Sequence, residues 1–139
     1  MMLHQSITQP GIAIGLAYTP VGGQALLIET SKFSGSGQIT LTGQLGAVMK
    51  ESIVTGLSWI KTNACQLGLV KKSDVKVMSD AKEEGKELLK KFDIHVHFPA
   101  ASVPKDGPSA GVTITVALVS LFCGRRVKAD FAMTGEMSL

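Results

Sequence analysis

Three short stretches in the first third of the chain have patterns that are typical of β-strands. Small and large residues alternate over 11–18, and a turn around Pro20 separates this stretch from the second, 25–30, which is mostly apolar. After the Gly/Ser-rich turn 34–37, polar and apolar residues alternate over 38–42. Alternation with a period of two is typical of β-strands, so the pattern predicts three strands joined by turns.

A helical period follows in the middle of the chain. Apolar residues recur there at steps of three and four, which stacks them on one helix face: Ile53, Leu57, Ile60, Ala64 and Leu67. Gly68 is expected to end this helix. The charged segment 71–91 comes next, and its residues 80–87 predict a solvated surface helix or an ordered insertion.

The last part of the chain predicts a strand, a long helix and a final short strand. In the strand 94–98, alternation puts Ile94, Val96 and Phe98 on one side and His95 and His97 on the other. The apolar run 109–123 predicts a buried helix, and 131–134 predicts the last strand. The resulting order, β-β-β-α-β-α-β, predicts a single α+β domain.

Composition and charge narrow the class of protein. With 139 residues, 45% hydrophobic and 18% charged, the chain is a globular domain rather than a disordered one. The net charge of +3 comes from lysines and arginines that do not cluster, so no nucleic-acid partner is expected. A helix over 109–123 would span about 22 Å, short of the roughly 30 Å of a bilayer core, so no membrane span is expected. Cys65 and Cys123 lack metal-binding spacing and are expected to be buried free thiols.

The segment Pro104–Gly111 (PKDGPSAG) carries the strongest candidate chemistry. Its Ser109 lies between small residues where a loop leads into the predicted helix, so unpaired helix N–H groups could stabilise negative charge beside it. The alternative is that Ser109 or Asp106 is only a helix cap. The glycines imitate the G-x-S-x-G elbow of α/β-hydrolases, but those enzymes place the histidine after the serine, and none follows Ser109 here.

The histidines of the predicted strand are a second candidate. His95 and His97 share a face at a spacing that can bind zinc. Two ligands do not make a zinc site, and no Cys or third His is found to supply the remaining ligands. A role lining the serine loop is the preferred interpretation, and no metal is expected.

Several motifs together resemble the proteolytic domain of Lon, the ATP-dependent serine protease. The resemblance rests on PKDGPSAG with Ala132–Glu136 (AMTGE) downstream, and it extends to most of the chain. The further matching segments are Gly15–Thr19 with Gly22-Gly23, Thr42–Gly46 with Val48–Ser52, and Ile94–Pro99. The forms Phe98–Ala100 and Gly111–Thr113 are more similar to the peroxisomal branch than to the mitochondrial one. The resemblance thus implies that the protein is located in the peroxisomal matrix, with the mitochondrial matrix or the cytoplasm as alternative locations.

The resemblance implies a Ser-Lys dyad and a fold. Ser109 would be the nucleophile, a lysine of lowered pKa its base, and the helix N-terminal amides the oxyanion site. Asp106, Thr134, His95 and His97 would support the active site. The implied fold is that of ribosomal protein S5 domain 2, with residues 1–10 as a short extension and 11–139 as a partial domain, incomplete at its C-terminus.

The chain departs from the family's pattern at two points. The family's lysine follows Thr-Gly-Glu by a few dozen residues, whereas Lys128 is the only lysine after Ser109 here and does not match that position. Ala47 stands where the family commonly has an acidic residue. We therefore expect this chain by itself to have little or no peptidase activity, and the alternative function is an inactive fragment or interaction module of a Lon assembly.

The remaining expectations concern the full-length family. Its members degrade unfolded or damaged polypeptides as homohexamers, using ATP and Mg²⁺ in an ATPase module that is missing from this chain. No cofactor is expected to bind to the chain itself.

Overall fold

A computed structural model describes residues 8–19, 22–43, 47–69, 85–99 and 111–128. Its strands are β1 (Ile12–Thr19), β2 (Gly22–Ser34), β3 (Ile39–Thr42) and β4 (Phe92–His97), and its two long described helices are α1 (Ala47–Asn63) and α2 (Gly111–Cys123). The predicted element order is confirmed over these residues, which form a mixed α/β domain. The predicted strand 131–134 lies outside the described residues.

The four strands form one mixed sheet in the order β1-β2-β4-β3. β1 pairs antiparallel with β2, β2 pairs antiparallel with β4, and β3 pairs parallel with β4. Parallel neighbours need a crossover connection, and α1 lies in the connection from β3 to β4. As a result, the last residues of β3 and β4, Thr42 and His97, are partners at one edge of the sheet.

The core lies between one face of the sheet and the two helices. Ile94, Val96 and Phe98 are buried on that face, as the alternation predicts. Buried residues of β1, β2, the two helices and the turn before β4 join them: Ala13, Leu26, Ile28, Ile53, Leu57, Ile60, Leu89, Ile114, Ala117 and Leu118. A smaller cluster around Ile12 and Ile14 lies apart from this core.

Helix α2 packs close to its neighbours because small residues stand at the points of contact. A Cβ on Gly56 of α1 would lie 2.8 Å from the Oγ1 of Thr115, and one on Gly15 of β1 would lie 2.8 Å from that of Thr113. The buried Thr115 hydroxyl donates to the carbonyl of Gly111 at 2.9 Å, so its burial leaves no unsatisfied polar group. These contacts hold the first turns of α2 firmly against α1 and β1.

The structure differs from the sequence predictions at element ends. β2 begins at Gly22 and runs to Ser34, well beyond 25–30, because it pairs with β1 along its first half and with β4 along its second. α1 begins at Ala47, ahead of the periodic apolar residues. In the segment expected to be solvated, residues 85–89 are helical, and Gly85 and Leu89 are buried because this turn packs against the end of α1 at Lys61.

The start of α2 and the cysteines also bear on the sequence predictions. The described part of α2 begins at Gly111, and the predicted helix start near Ser109 lies outside the described residues. Cys65 and Cys123 are free, as expected, but half-buried rather than buried. They occupy the periphery, where the Cys123 thiol lies 3.9 Å from the carbonyl of Leu67 at the end of the turns that follow α1.

The connection from β2 to β3 is folded around one carboxylate of β4. The Asp93 Oδ1 accepts hydrogen bonds from the backbone N–H groups of Ser36, Gly37 and Gln38 at 2.9, 3.1 and 3.0 Å. These bonds, that from Gln38 foremost, hold the pKa of Asp93 below its ordinary value of 3.8. The ionised carboxylate therefore fixes the turn that sets where β3 starts.

Replacing Asp93 by asparagine is expected to lower the free energy of unfolding at pH 7. The folded-state pKa is lowered, so the carboxylate's stabilisation is fully present above 3.8 and is lost as the pH falls through the folded-state pKa. The difference between the two proteins, measured by urea unfolding, should thus shrink in strong acid. Glu87→Gln is the control, because among the described residues this exposed carboxylate is paired only with the exposed Lys90, at 3.5 Å. A pH-independent difference for Asp93→Asn would contradict the role of the charge.

Candidate active site

Of the predicted site residues, only the two histidines fall within the part of the chain that the structure describes. His95 and His97 lie in β4. The predicted nucleophile Ser109 and the predicted supporting residues Asp106 and Thr134 lie outside the described residues. The described part of the site comprises the strand end, the helix start and the side chains that flank the serine segment in sequence.

The chain enters the serine segment beside the end of β3. The N–H of Phe98 donates to the carbonyl of Thr42 at 3.1 Å, which extends the β3–β4 pairing by one step. Gly43 follows Thr42 with a φ of +100°, and a Cβ there would overlap the carbonyl oxygen of Phe98. Glycine is thus required at this position both for its backbone conformation and for lack of space.

Replacing Gly43 by alanine is expected to cost more stability than the same change at Gly68. Gly68 also has a positive φ, of +77°, but nothing lies within 4 Å of an added Cβ. Gly68→Ala should thus lower the free energy of unfolding by about 1–2 kcal/mol, the cost of the left-handed conformation alone. Gly43→Ala should cost roughly 1 kcal/mol more, because the Phe98 backbone must move. Equal losses in urea unfolding would contradict the close approach of the two strand ends.

The two histidines occupy the face of β4 that points away from the helices, as predicted. Both rings are half-buried, and their centroids are 6.1 Å apart. Their cross-strand partners in β2 are polar: Glu29 stands opposite His97, and Ser31 stands opposite His95. We call this set of residues, together with Thr42, the histidine face.

A single hydroxyl joins the two rings. The Oγ1 of Thr42 lies 2.7 Å from the Nε2 of His95 and 2.6 Å from the Nδ1 of His97. Sequence reasoning missed the contact of Thr42 with the histidines, because it placed Thr42 only in a strand and at the start of a segment that matches the family. The pairing arises from the parallel register of β3 and β4, and nothing in the local sequence around Thr42 indicates that register.

The start of α2 completes the described surroundings. α2 begins at Gly111, two residues after Ser109 in sequence. The first four N–H groups of an α-helix have no partner within the helix, and they carry partial positive charge. The described part of α2 is largely buried and packs against β1 and α1 through Thr113 and Thr115, so its first described turn is held rigidly, close in sequence to the serine.

Three further features bear on the chemistry. Lys128 is exposed, unlike the buried base that a Ser-Lys dyad requires. Among the described residues, no group of three or more His, Cys, Asp or Glu side chains is placed to hold a metal ion. A concavity of about 320 Å³ rimmed by Lys61, Lys86 and Lys90 is lined by none of the histidine-face residues.

Comparison with known proteins identifies the family. Residues 3–139 match the model of the Lon protease (S16) C-terminal proteolytic domain. The chain belongs to the Lon protease family. This is a family of serine peptidases. The match covers nearly the whole chain, including the PKDGPSAG and AMTGE motifs, and so confirms the family that these motifs indicated.

The relatives are proteins named "Lon protease homolog 2, peroxisomal". The chain is 50% identical over its full length to those of Bos taurus and Homo sapiens, and covers 15% of the length of each. It is 49% identical over 133 residues to that of Zea mays, of which it covers 14%. The chain thus spans about one seventh of the length of these relatives.

None of its described helices is long and apolar enough to cross a membrane.

Proposed function

We propose that the chain is the proteolytic domain of an ATP-dependent serine endopeptidase that degrades unfolded or damaged proteins, with Ser109 as its nucleophile. The observation that carries the proposal is the family match over 3–139, which includes the PKDGPSAG motif. Two structural features support it. The segment starts from a buried anchor, Phe98, and ends at a buried helix start, Gly111, so both of its ends are rigid.

The proposed reaction proceeds through an acyl-enzyme. The Ser109 hydroxyl oxygen attacks the scissile carbonyl carbon while its proton passes to a lysine base, and N–H groups at the start of α2 stabilise the oxyanion. The C–N bond then breaks, the amine leaves with the proton from the lysine, and the acyl group remains as an ester on Ser109. Water hydrolyses this ester. Asp106, Thr134, His95 and His97 are proposed to position the reacting groups.

The remaining proposals concern the full-length protein. By its similarity to relatives named as peroxisomal, it is proposed to act in the peroxisome. Unfolded polypeptides are the proposed substrates, and the proposed assembly is a homohexamer. ATP and Mg²⁺ are assigned to an ATPase module outside this chain, and no step above passes through them. The S5 domain 2-like fold and the division into 1–10 and 11–139 stay predictions.

A chimera tests the proposed function. These 139 residues would replace the corresponding segment of the human homologue, which is 50% identical. Hydrolysis of a fluorogenic peptide at a rate comparable with that of the parent is expected, because the rest of the protein supplies the lysine and the ATPase module. A chimera that assembles and hydrolyses ATP but cleaves no peptide would contradict the proposal.

A second candidate function is an inactive module that joins Lon assemblies. The observation that favours it is the exposure of Lys128, which does not provide the buried base that a Ser-Lys dyad requires. The isolated chain is expected to show no peptide hydrolysis. If it is an assembly module, it will co-purify with the full-length human homologue and lower the activity of that protein. A chain that stays monomeric in the mixture would exclude this role.

A further inference from the structure

The Thr42 hydroxyl has too few hydrogens to donate to both of its histidine neighbours. It contacts the Nε2 of His95 and the Nδ1 of His97 at 2.7 and 2.6 Å, both short hydrogen-bond distances. A threonine hydroxyl has one hydrogen and two acceptor lone pairs. When it donates to one ring nitrogen, the other ring nitrogen must carry a hydrogen and donate to it.

This requirement couples the two rings, because they face Thr42 through different nitrogens. If the His95 Nε2–H donates to Thr42, Thr42 donates to a bare Nδ1 on His97, whose hydrogen is then on Nε2. If the His97 Nδ1–H donates instead, Thr42 donates to a bare Nε2 on His95, whose hydrogen is then on Nδ1. In either case the two neutral histidines have the same tautomer.

We propose that Thr42 is a positioning residue that fixes His95 and His97 in the same tautomer. The contrary arrangement has both rings donating to Thr42, which would leave the threonine hydrogen without any of the partners observed among the described residues. That arrangement requires different tautomers, Nε2–H on His95 and Nδ1–H on His97. The two possibilities are therefore distinguishable by experiment.

The coupling determines what the histidine face offers to a neighbouring group. The nitrogens that do not face Thr42, Nδ1 of His95 and Nε2 of His97, are always one donor and one acceptor. The two states also interconvert without net change of charge. A proton binds at His95 Nδ1, the Nε2 proton moves to Thr42, the Thr42 proton moves to His97 Nδ1, and the His97 Nε2 proton leaves.

Glu29 is the charged group that stands beside this chain of hydrogen bonds. It is the direct cross-strand partner of His97 in β2, and its carboxylate can only accept hydrogen bonds when ionised. The other cross-strand neighbours, Ser31 and Thr40, are uncharged. The importance of the fixed tautomers for peptide hydrolysis rests on the proposed function, whereas the coupling itself does not.

The experiment is long-range ¹H–¹⁵N correlation NMR of the protein labelled with ¹⁵N-histidine. At pH 8.5, wild type should show one common tautomer for His95 and His97. One bare nitrogen should also show the shift caused by accepting a hydrogen bond. Thr42→Ser should preserve both signatures. Thr42→Val, which removes the hydroxyl at nearly constant shape, should abolish the hydrogen-bond shift and let each ring sample both tautomers.

Thr40→Val is the matched control. Thr40 lies in β3, like Thr42, and it is the exposed cross-strand partner of His95. Its substitution should leave the spectra of both histidines as in wild type. Different tautomers in the wild-type spectrum would overturn the proposal, as would a Thr42→Val spectrum identical to wild type. The wild-type and Thr42→Ser spectra decide the matter even if Thr42→Val does not fold.

An activity measurement separates this proposal from the proposed function. In the chimera, Thr42→Val is expected to lower kcat by about ten-fold or more with KM unchanged, and Thr42→Ser to restore it. Coupled tautomers with unaltered kcat would contradict the positioning role in catalysis and leave the coupling intact. Loss of kcat without coupled tautomers would contradict the coupling alone.

Discussion

In the chimera, Ser109→Ala is expected to lower kcat for peptide hydrolysis by about a thousand-fold or more, the largest effect of any single change in this chain. Removing the nucleophile of a covalent mechanism abolishes the acyl-enzyme path and leaves only the contribution of oxyanion stabilisation and substrate binding. ATP hydrolysis and assembly should be unchanged, because the substitution deletes one oxygen atom. Steady-state hydrolysis of a fluorogenic peptide, measured beside ATPase activity and sedimentation, checks all three.

Ser102→Ala is the matched control for this change. Ser102 lies in the same segment between Phe98 and Gly111 but outside the PKDGPSAG motif. It should retain peptide hydrolysis within about two-fold of the unchanged chimera, since it is assigned no part in the reaction. If Ser109→Ala kept most of the activity, or Ser102→Ala lost it, the assignment of the nucleophile would be wrong.

Replacing Phe98 by alanine is expected to lower the free energy of unfolding by about 3–5 kcal/mol, the usual cost of removing a buried phenylalanine ring. Phe98 is completely buried and is the first residue after β4. Its side chain belongs to the core between the sheet and the helices, and its N–H bonds to Thr42. The substitution should thus both destabilise the domain and loosen the start of the serine segment. Urea unfolding measures the first effect, and amide hydrogen exchange at Phe98 the second.

Phe33→Ala is the control, because it removes the same side chain from an exposed position. The Phe33 side chain is 59% exposed on β2, so its removal should change the free energy of unfolding by about 0.5 kcal/mol or less. Comparable losses for the two substitutions would mean that Phe98 does not anchor the core. Normal hydrogen-exchange protection of the amide at position 98 in Phe98→Ala would mean that the side chain does not hold the strand end.

The spacing of apolar residues predicted the strands and helices because each of these elements buries one of its faces. The alternation of 94–98 placed Phe98 in the core and the histidines on the other face, and both placements are confirmed. The limits of β2 could not be predicted, since Gly22 and Ser34 belong to the strand only through their partners in β1 and β4. The glycines and serines at these ends favour a turn locally. They become part of the strand because they pair with residues that are distant in sequence.

The site was predicted less completely than the fold. The family motifs indicated Ser109, Asp106, Thr134 and the histidines, and the family itself is confirmed, while the individual roles stay predictions. Thr42 was missed because its contact with the histidines depends on the insertion of β4 between β2 and β3. A strand order of this kind is a property of the whole chain and leaves no trace in a local motif.

The central claim, that Ser109 is the nucleophile of a Lon-family peptidase, is tested most directly by trapping the acyl-enzyme. The chimera would be mixed with a peptide ester substrate, quenched in acid during turnover, digested and mapped by mass spectrometry. The account predicts an acyl ester on the peptide that contains Ser109, and its absence in Ser109→Ala. An acyl group on another residue, or turnover by Ser109→Ala at the unchanged rate, would contradict it.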